Sequence, residues 1–97
     1  MNIDADKLTR LSKMAEQIRK DCIWMSTKAG TGHLGPALSI ADIMAVLYGE
    51  IMKYDPKDPS WPDRDRFILS KGHGCLALYA TLAQCGYFDK ALYREFC

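Results

Sequence analysis

Phe67-Ile68-Leu69-Ser70-Lys71-Gly72-His73-Gly74 is the stretch that decides the fold class of this chain. Its first three residues are apolar and rich in β-formers, with charged residues on either side, which predicts a short buried strand of the parallel type. After Gly74 the apolar residues return at helical spacing and stop at Gly86, so a helix is predicted there. A strand that leads through a glycine loop into a helix predicts an α/β fold with a ligand site at the loop.

A second glycine loop, Gly30-Thr31-Gly32-His33-Leu34-Gly35, holds the other of the chain's two histidines. A long amphipathic helix is predicted before it, from Asp4 to about Ala29, because apolar residues recur in steps of three and four. Gly30 suits the end of that helix and Pro36 disfavours immediate re-entry into a new one, so residues 30–38 are predicted to form a loop. We expect both histidine loops to face one ligand site.

The remaining segments are predicted as two further helices and a connector. Ser39 resembles an N-cap with Asp42 three residues later, which predicts a helix from about Ile40 to Met52. The connector over residues 54–65 contains three prolines, and Asp89 is predicted to cap a last helix from Lys90 to Cys97. A single strand cannot form a sheet. The missing strands therefore come from another polypeptide, or the chain is a truncated piece of a larger domain.

Length, charge and cysteine spacing exclude several classes of function. At 97 residues with a net charge of +1, the chain is one domain at most and carries no basic surface of the kind that binds nucleic acids. No uninterrupted run of about 18 apolar residues occurs and the N-terminus is polar, which predicts a cytoplasmic protein. The four cysteines match no zinc-binding spacing and are interpreted as reduced, small hydrophobic residues, so no metal site is predicted within the chain.

The first loop also matches a dinucleotide fingerprint through Gly30, Gly32 and Gly35, and Asp55 lies at the distance expected of a ribose-binding carboxylate. That fingerprint requires a strand before it and a helix opening inside it, whereas here a helix precedes it and Pro36 follows. NAD binding is therefore disfavoured. No Walker A sequence occurs either, because His73 follows Gly72.

The position of His73 at the predicted entrance of a helix suits an anionic group, because helix N-termini favour phosphate. On spacing alone, two alternatives stay open. His73 could serve only as a helix cap, and His33 could be a structural loop residue.

Several segments, quoted in order, resemble the N-terminal part of transketolases. They are Lys28-Ala29-Gly30-Thr31-Gly32-His33-Leu34-Gly35, Leu38-Ser39-Ile40-Ala41-Asp42-Ile43, Leu47-Tyr48 and the run from Trp61-Pro62-Asp63-Arg64-Asp65-Arg66 to Gly74. The resemblance covers nearly the whole chain, so residues 1–97 are identified as the N-terminal part of a transketolase-like diphosphate-binding domain, with no second domain. The implied fold is an incomplete α/β fragment, mostly helical with one parallel-type strand.

The resemblance implies thiamine diphosphate as cofactor and transfer of a two-carbon ketol unit between sugar phosphates as the reaction. His33 and His73 would be the catalytic residues. His73, Gly72, Ser70 and Gly32 would contact the cofactor, and His33 and Lys71 the substrate. The cofactor carries the carbanion chemistry, and the protein contributes orientation and proton transfer.

Leu34 after the first histidine, and Lys71, are more similar to variants in which transketolase is split into N- and C-terminal subunits. The family's metal-holding residues and its activating glutamate lie outside this sequence. The resemblance therefore implies a hetero-oligomer in which partner chains complete the cofactor site, supply the ligands for Mg or Ca, and make an otherwise inactive chain an enzyme. Alternatives are a non-catalytic interaction or scaffold module derived from a transketolase, and a truncated fragment.

Overall fold

The computed structural model describes residues 4–29, 34–70 and 72–95, with their side chains except those at positions 29, 73 and 93–95. Three α-helices form within these ranges: α1 at Ala5–Ala29, α2 at Leu34–Val46 and α3 at Cys75–Gln84. A π-helical segment, Leu47–Ile51, continues α2, and 3₁₀ turns form at Gly72–Gly74 and Lys90–Glu95. The described part of the chain is therefore mostly helical.

The core lies where the three α-helices meet. The predicted apolar stripe of α1 is buried from Leu11 to Met25, whereas Leu8 at its start is 59% exposed. Small side chains dominate the buried faces of the other two helices, and they allow close approach of the backbones. The core residues of α2 and α3 are Ala37, Ala41, Met44, Ala45, Leu76, Ala77, Ala80 and Ala83.

The direction of each helix follows from its contacts with the others. Arg10 near the start of α1 donates to the carbonyl of Gly49 at 2.8 Å, and Arg19 pairs with Asp42 at 2.7 Å, so α1 and α2 run antiparallel. The start of α3 packs against the middle of α2, because a Cβ placed on Gly74 would lie 3.0 Å from Ile40 Cδ1. Leu78 and Leu82 further along α3 face Tyr48 and Met52 beyond α2 across one cavity. Thus α2 and α3 run parallel.

The start of α2 differs from the prediction. The structure begins this helix at Leu34, so the loop predicted over residues 30–38 is wrong from Leu34 onward. Pro36 is accommodated because it lies in the first turn, where backbone N–H groups have no helical acceptor. Ser39 is consequently inside the helix and is not its N-cap, and its hydroxyl donates to the carbonyl of Pro36 at 2.8 Å. Asp42 pairs with Arg19 of α1 and completes no capping box.

The strand predicted at Phe67-Ile68-Leu69 is also wrong within the described residues, which contain no strand. Residues 64–69 instead run without helix, turn or bend. Strand formation needs a hydrogen-bonded neighbour, and no described segment pairs with these residues. The α/β part of the predicted fold class is therefore not found in the described chain, whereas its mostly helical character is confirmed.

The C-terminal predictions agree with the structure over the described residues. After α3 the chain turns at Gly86, whose φ of +93° lies in the region that glycine adopts readily. Asp89 begins the next element, because its Oδ1 accepts the backbone N–H of Ala91 at 2.8 Å. That element is a 3₁₀ turn, and the last two residues of the predicted helix, 96 and 97, lie outside the described chain.

By length and composition alone, the continuous helix Leu34–Ile51 could cross a membrane. Core helices of water-soluble proteins meet the same criteria of length and composition, so these criteria alone do not identify a membrane-spanning helix. Here Ala37, Ala41 and Met44 of this helix are buried in the core of the molecule.

Glu50, near the end of this helix, forms ion pairs with Lys7 and Arg10 at 3.0 and 2.8 Å. These contacts hold the pKa of Glu50 below its usual value, and the hydrogen bond from Lys7 has the largest effect.

Candidate functional site

The second histidine loop ends in a 3₁₀ turn that passes directly into α3. Ser70 is exposed at a bend, and Gly72, His73 and Gly74 form the turn before the helix begins at Cys75. The amide groups of this turn and of the first turn of α3 are therefore near a helix N-terminus, where anionic groups are favoured. This agrees with the predicted position of His73 at the entrance of a helix.

The two glycines of this turn face different surroundings. A Cβ on Gly74 would lie 3.0 Å from Ile40 Cδ1 and 3.9 Å from Leu69 Cδ1, so this buried residue fixes the turn against α2. Gly72 is exposed, and apart from its two neighbours in the sequence no heavy atom of the described chain lies within 4 Å of its Cβ position. The backbone at Gly72 is thus open to a ligand while the neighbouring Gly74 is held in place. That arrangement fits one wall of a site for a diphosphate group.

The first histidine loop joins the end of α1 to the start of α2. α1 runs antiparallel to α2, and α3 runs parallel to α2. The end of α1, the start of α2 and the start of α3 therefore lie towards the same end of the molecule. Ile40, which contacts the Gly74 position, is six residues after Leu34, a rise of roughly 9 Å along a helix. The start of α3 therefore lies within about two helical turns of the start of α2, which favours a shared ligand site.

Three predicted site residues, Gly32, His33 and Lys71, lie outside the described residues. For His73 the structure describes the backbone and not the side chain. Ser70 and Gly72 are described and exposed. The roles assigned to these six residues accordingly remain predictions, and the structure contributes the placement of Ser70, Gly72 and the His73 backbone.

One feature that the sequence did not predict lies towards the C-terminal ends of α2 and α3, away from the two histidine loops. A cavity of about 400 Å³ opens there, with Tyr48, Phe67, Leu78 and Leu82 among its apolar walls and Arg64 among its polar ones. These residues come from three separate parts of the sequence, so no local pattern marks the cavity. Tyr48 and Phe67 meet edge to face, with ring centroids 6.1 Å apart.

Tyrosines next to this cavity have a structural role. The hydroxyl of Tyr54 donates to the carbonyl of Tyr48 at 2.6 Å and lies 3.2 Å from Cys85 Sγ. Burial, and then the hydrogen bond with Cys85, raise the pKa of Tyr54 well above its usual value, and burial also raises the pKa values of Tyr48 and Tyr87.

In the part of the chain that the structure describes, no three His, Cys, Asp or Glu side chains gather in a group that could hold a metal ion. Cys22, Cys75 and Cys85 are free thiols. Cys22 is fully buried, and burial, followed by the charge of Asp21, raises its pKa to about 12. This agrees with the interpretation of Cys22 as a small hydrophobic residue; the fourth cysteine, Cys97, lies outside the described residues.

The family model for the thiamine diphosphate-binding domain of transketolase matches residues 11–94. The chain belongs to the transketolase family. The match includes both histidine loops, and it confirms the resemblance found in the sequence. It also establishes that the domain to which this chain corresponds is one that binds thiamine diphosphate.

Curated relatives support the same assignment. The chain is 53% identical over 78 residues to the 6-deoxy-6-sulfo-D-fructose transketolase subunit SqwG of Clostridium sp. (strain MSTE9), covering 80% of this chain and 28% of SqwG. It is 43% identical over 88 residues to the transketolase of Homo sapiens, covering 91% of this chain and 14% of that protein. It is 46% identical over 77 residues to the chloroplastic transketolase-1 of Arabidopsis thaliana, covering 79% of this chain and 10% of that protein. The chain thus spans less than a third of the length of these relatives.

Proposed function

We propose that this chain is the N-terminal piece of the diphosphate-binding half of a transketolase-type enzyme. The enzyme would transfer a two-carbon ketol unit between sugar phosphates, and the chain would be inactive until partner chains complete the site. The observation that carries the proposal is the family match over residues 11–94, which includes both histidine loops. The name of SqwG, a transketolase subunit, supports a split enzyme.

In this proposal the chain's own residues bind and orient the cofactor. Gly72, with open space at its Cβ position, would let the backbone approach the diphosphate, and Ser70 beside it is exposed and able to donate a hydrogen bond. His73 would contact the diphosphate from the same turn, and Gly32 would let the first loop approach the cofactor. Thiamine diphosphate, when bound, would stabilise the carbanion equivalent of the ketol unit.

His33 and His73 would move protons. The unperturbed pKa of histidine suits exchange of a proton with a sugar hydroxyl near neutral pH. His33 would meet the donor hydroxyls, and Lys71 would add a positive charge for the substrate. The Mg or Ca ion expected with the diphosphate would take its ligands from partner chains, and a cytoplasmic hetero-oligomer is the assembly that we propose.

The test is a reconstitution of ketol transfer. The isolated chain is expected to show no turnover and no tight binding of thiamine diphosphate, and activity should appear with chains that carry the metal ligands and the activating glutamate. His33→Ala and His73→Ala should each lower kcat by about 10² to 10⁴-fold, the range for loss of a general acid or base. Lys57→Ala, in the exposed connector, is the matched control.

Assembly of the complex is measured in parallel by sedimentation. Loss of activity with intact assembly supports the proposal. Intact assembly with unchanged activity in both histidine variants favours the scaffold module, whose apolar faces would serve partner binding. Absence of turnover in every combination of chains contradicts the catalytic proposal.

A further inference from the structure

The backbone conformation at Gly74 does not require a glycine. Gly74 is the N-cap of α3, with a φ of −92° and a ψ of 9°, and residues that carry side chains also adopt these angles. The surroundings of Gly74 explain the residue instead. A Cβ at this position would lie 3.0 Å from Ile40 Cδ1, closer than two carbon atoms pack without strain. The missing side chain at Gly74 therefore makes room for a methyl group of Ile40.

Apart from atoms of its sequence neighbours, one methyl group crowds this position in the described chain. Ile40 Cγ1 and Leu69 Cδ1 would each lie 3.9 Å from the added Cβ, which is ordinary van der Waals contact. Ile40 is itself half-buried and packs against the core, which restricts rotation of its side chain away from the turn. The side chain of Ile40 therefore sets the distance between Gly74 and α2.

The turn that Ile40 contacts is the one proposed to face the diphosphate. Gly72 and the backbone of His73 belong to the same 3₁₀ turn as Gly74, and α3 begins directly after it. A glycine N-cap has no side chain that could compete with an anion for the first N–H groups of α3. Since α2 begins at Leu34, directly after the first histidine, a displaced turn would also change the spacing of the two histidine loops.

We infer that Ile40 is a positioning residue of the diphosphate site, whose Cδ1 methyl group sets the distance between α2 and the turn that carries His73. This inference rests on the proposed function, and it assigns Ile40 no contact with cofactor or substrate. A methyl group added on one side of the contact should displace the turn. A methyl group moved from Ile40 to Gly74 should leave the turn in place.

The test is this exchange of a methyl group in the full chain. Gly74→Ala adds a methyl group, and Ile40→Val removes Cδ1, so the double variant exchanges one for the other. NMR of the full chain follows the turn through the amide of Gly72. Gly74→Ala should shift this resonance, and the added Ile40→Val should return it most of the way to the wild-type value. The through-bond effect of the alanine is the same in both variants, so the return measures packing alone.

The same variants are compared in the complex that is reconstituted for ketol transfer. Gly74→Ala should lower kcat by about 10-fold, since displacement by a fraction of an ångström costs less than the roughly 100-fold loss from a full ångström. The double variant should recover most of that loss. The affinity for thiamine diphosphate, measured by calorimetry, should fall and recover in parallel.

A second isoleucine of α2 provides the matched control. Ile43 is 57% exposed, so Ile43→Val combined with Gly74→Ala should restore neither the resonance nor the activity. Equal recovery with Ile43→Val, or no recovery with Ile40→Val, would overturn the inference. If Gly74→Ala alone does not fold, a folded double variant supports the inference and an unfolded one overturns it.

Gly49→Ala controls for strain elsewhere in the molecule. Its Cβ would crowd side chains of α1 and none of the turn, so it should leave the Gly72 resonance unchanged. A shift as large as that in Gly74→Ala would overturn the inference.

Spectra and activity separate this inference from the proposed function. Recovery of the Gly72 resonance beside a complex that neither binds thiamine diphosphate nor turns over supports the positioning of the turn by Ile40 and contradicts the proposed function. An active wild-type complex without recovery in the double variant overturns the inference, and the proposed function then stands.

Discussion

At the residue scale, Gly49 lies where the π-helical segment packs against side chains of α1. A Cβ there would lie 2.5 Å from Leu11 Cδ2 and 3.2 Å from Met14 Sδ. We expect Gly49→Ala to lower the free energy of unfolding by about 1 kcal/mol, because overpacking outweighs the gain in helix propensity. Urea unfolding followed by circular dichroism measures this change.

Gly35→Ala is the control for that variant. Gly35 also lies in a helix, but apart from its sequence neighbours and the backbone of its own helix no heavy atom of the described chain is within 4 Å of its Cβ position. We expect it to leave stability unchanged or to raise it by up to about 1 kcal/mol. If both alanine variants were stabilising, the contact between Gly49 and Leu11 would not constrain the packing.

Tyr54 ties the end of α2 to the end of α3 through one hydroxyl group. Tyr54→Phe should lower the free energy of unfolding by about 1 kcal/mol at pH 7, because the carbonyl of Tyr48 loses its donor. Tyr87→Phe is the control, because the Tyr87 hydroxyl makes no side-chain hydrogen bond among the described residues and its ring stacks on Tyr54 at 6.0 Å. An equal loss in both variants would show that ring packing matters more than the hydroxyl.

The raised pKa of Tyr54 adds a pH dependence to the same measurement. A phenol whose folded pKa lies above its unfolded value of about 10 binds its proton more tightly in the native state. Its stabilising contribution is complete below pH 10 and is lost as the pH rises through the folded pKa. The loss of stability above pH 10 should therefore be smaller in Tyr54→Phe than in the wild-type chain.

At the scale of the element, α2 shows how position decides the effect of a proline. Pro36→Ala should change stability by no more than about 0.5 kcal/mol, since an N–H in the first turn has no helical acceptor. Ala41→Pro should cost at least about 3 kcal/mol and abolish cooperative unfolding, because Ala41 is fully buried in the helix interior. Thermal unfolding by circular dichroism compares the two variants.

The same pair of variants distinguishes the observed helix from the helix that the sequence predicted. In a helix capped by Ser39, Ala41 would lie in the first turn and tolerate proline. A stable Ala41→Pro variant would therefore favour the predicted start. A folded Pro36→Ala variant beside an unfolded Ala41→Pro variant supports the start at Leu34.

At the scale of the whole molecule, Cys22 reports the integrity of the core. It is completely buried, and its pKa is raised from 9.0 to about 12. Because the thiolate is the reactive form, alkylation of native Cys22 by iodoacetamide at pH 8 should be at least about 1,000-fold slower than in urea-unfolded protein. Peptide mass mapping separates Cys22 from the other thiols. Similar native and unfolded rates at Cys22 would contradict the described core.

Much of the helical structure was predictable because it depends on local periodicity. The stripe on α1 from Leu11 to Met25, the turn at Gly86 and the cap at Asp89 were correctly predicted, whereas Leu8 of the predicted stripe is exposed. The start of α2 was not, because Pro36 and Ser39 are compatible with either a loop or a first turn. The packing of α2 on α1 and α3, through Ala37 and Ala41, provides the burial that favours the longer helix.

The candidate site was predictable as two glycine loops, because histidines between glycines are recognisable without coordinates. The family to which those loops belong was likewise identifiable from their residues. The sequence could not show that α2 and α3 run parallel and so bring the flanking residues of both loops to one end of the molecule. That proximity depends on contacts between residues far apart in the chain, such as Gly74 and Ile40.

By itself the sequence determined the family, the helical stripe and the choice of candidate site residues, because each depends on residue types at short separations along the chain. Only the tertiary structure decided where α2 begins, how the helices are directed and whether residues 67–69 are paired. A strand exists through hydrogen bonds to a neighbour, so the β-forming character of Phe67, Ile68 and Leu69 does not make one. In the described chain these residues have no such neighbour, so they form no strand.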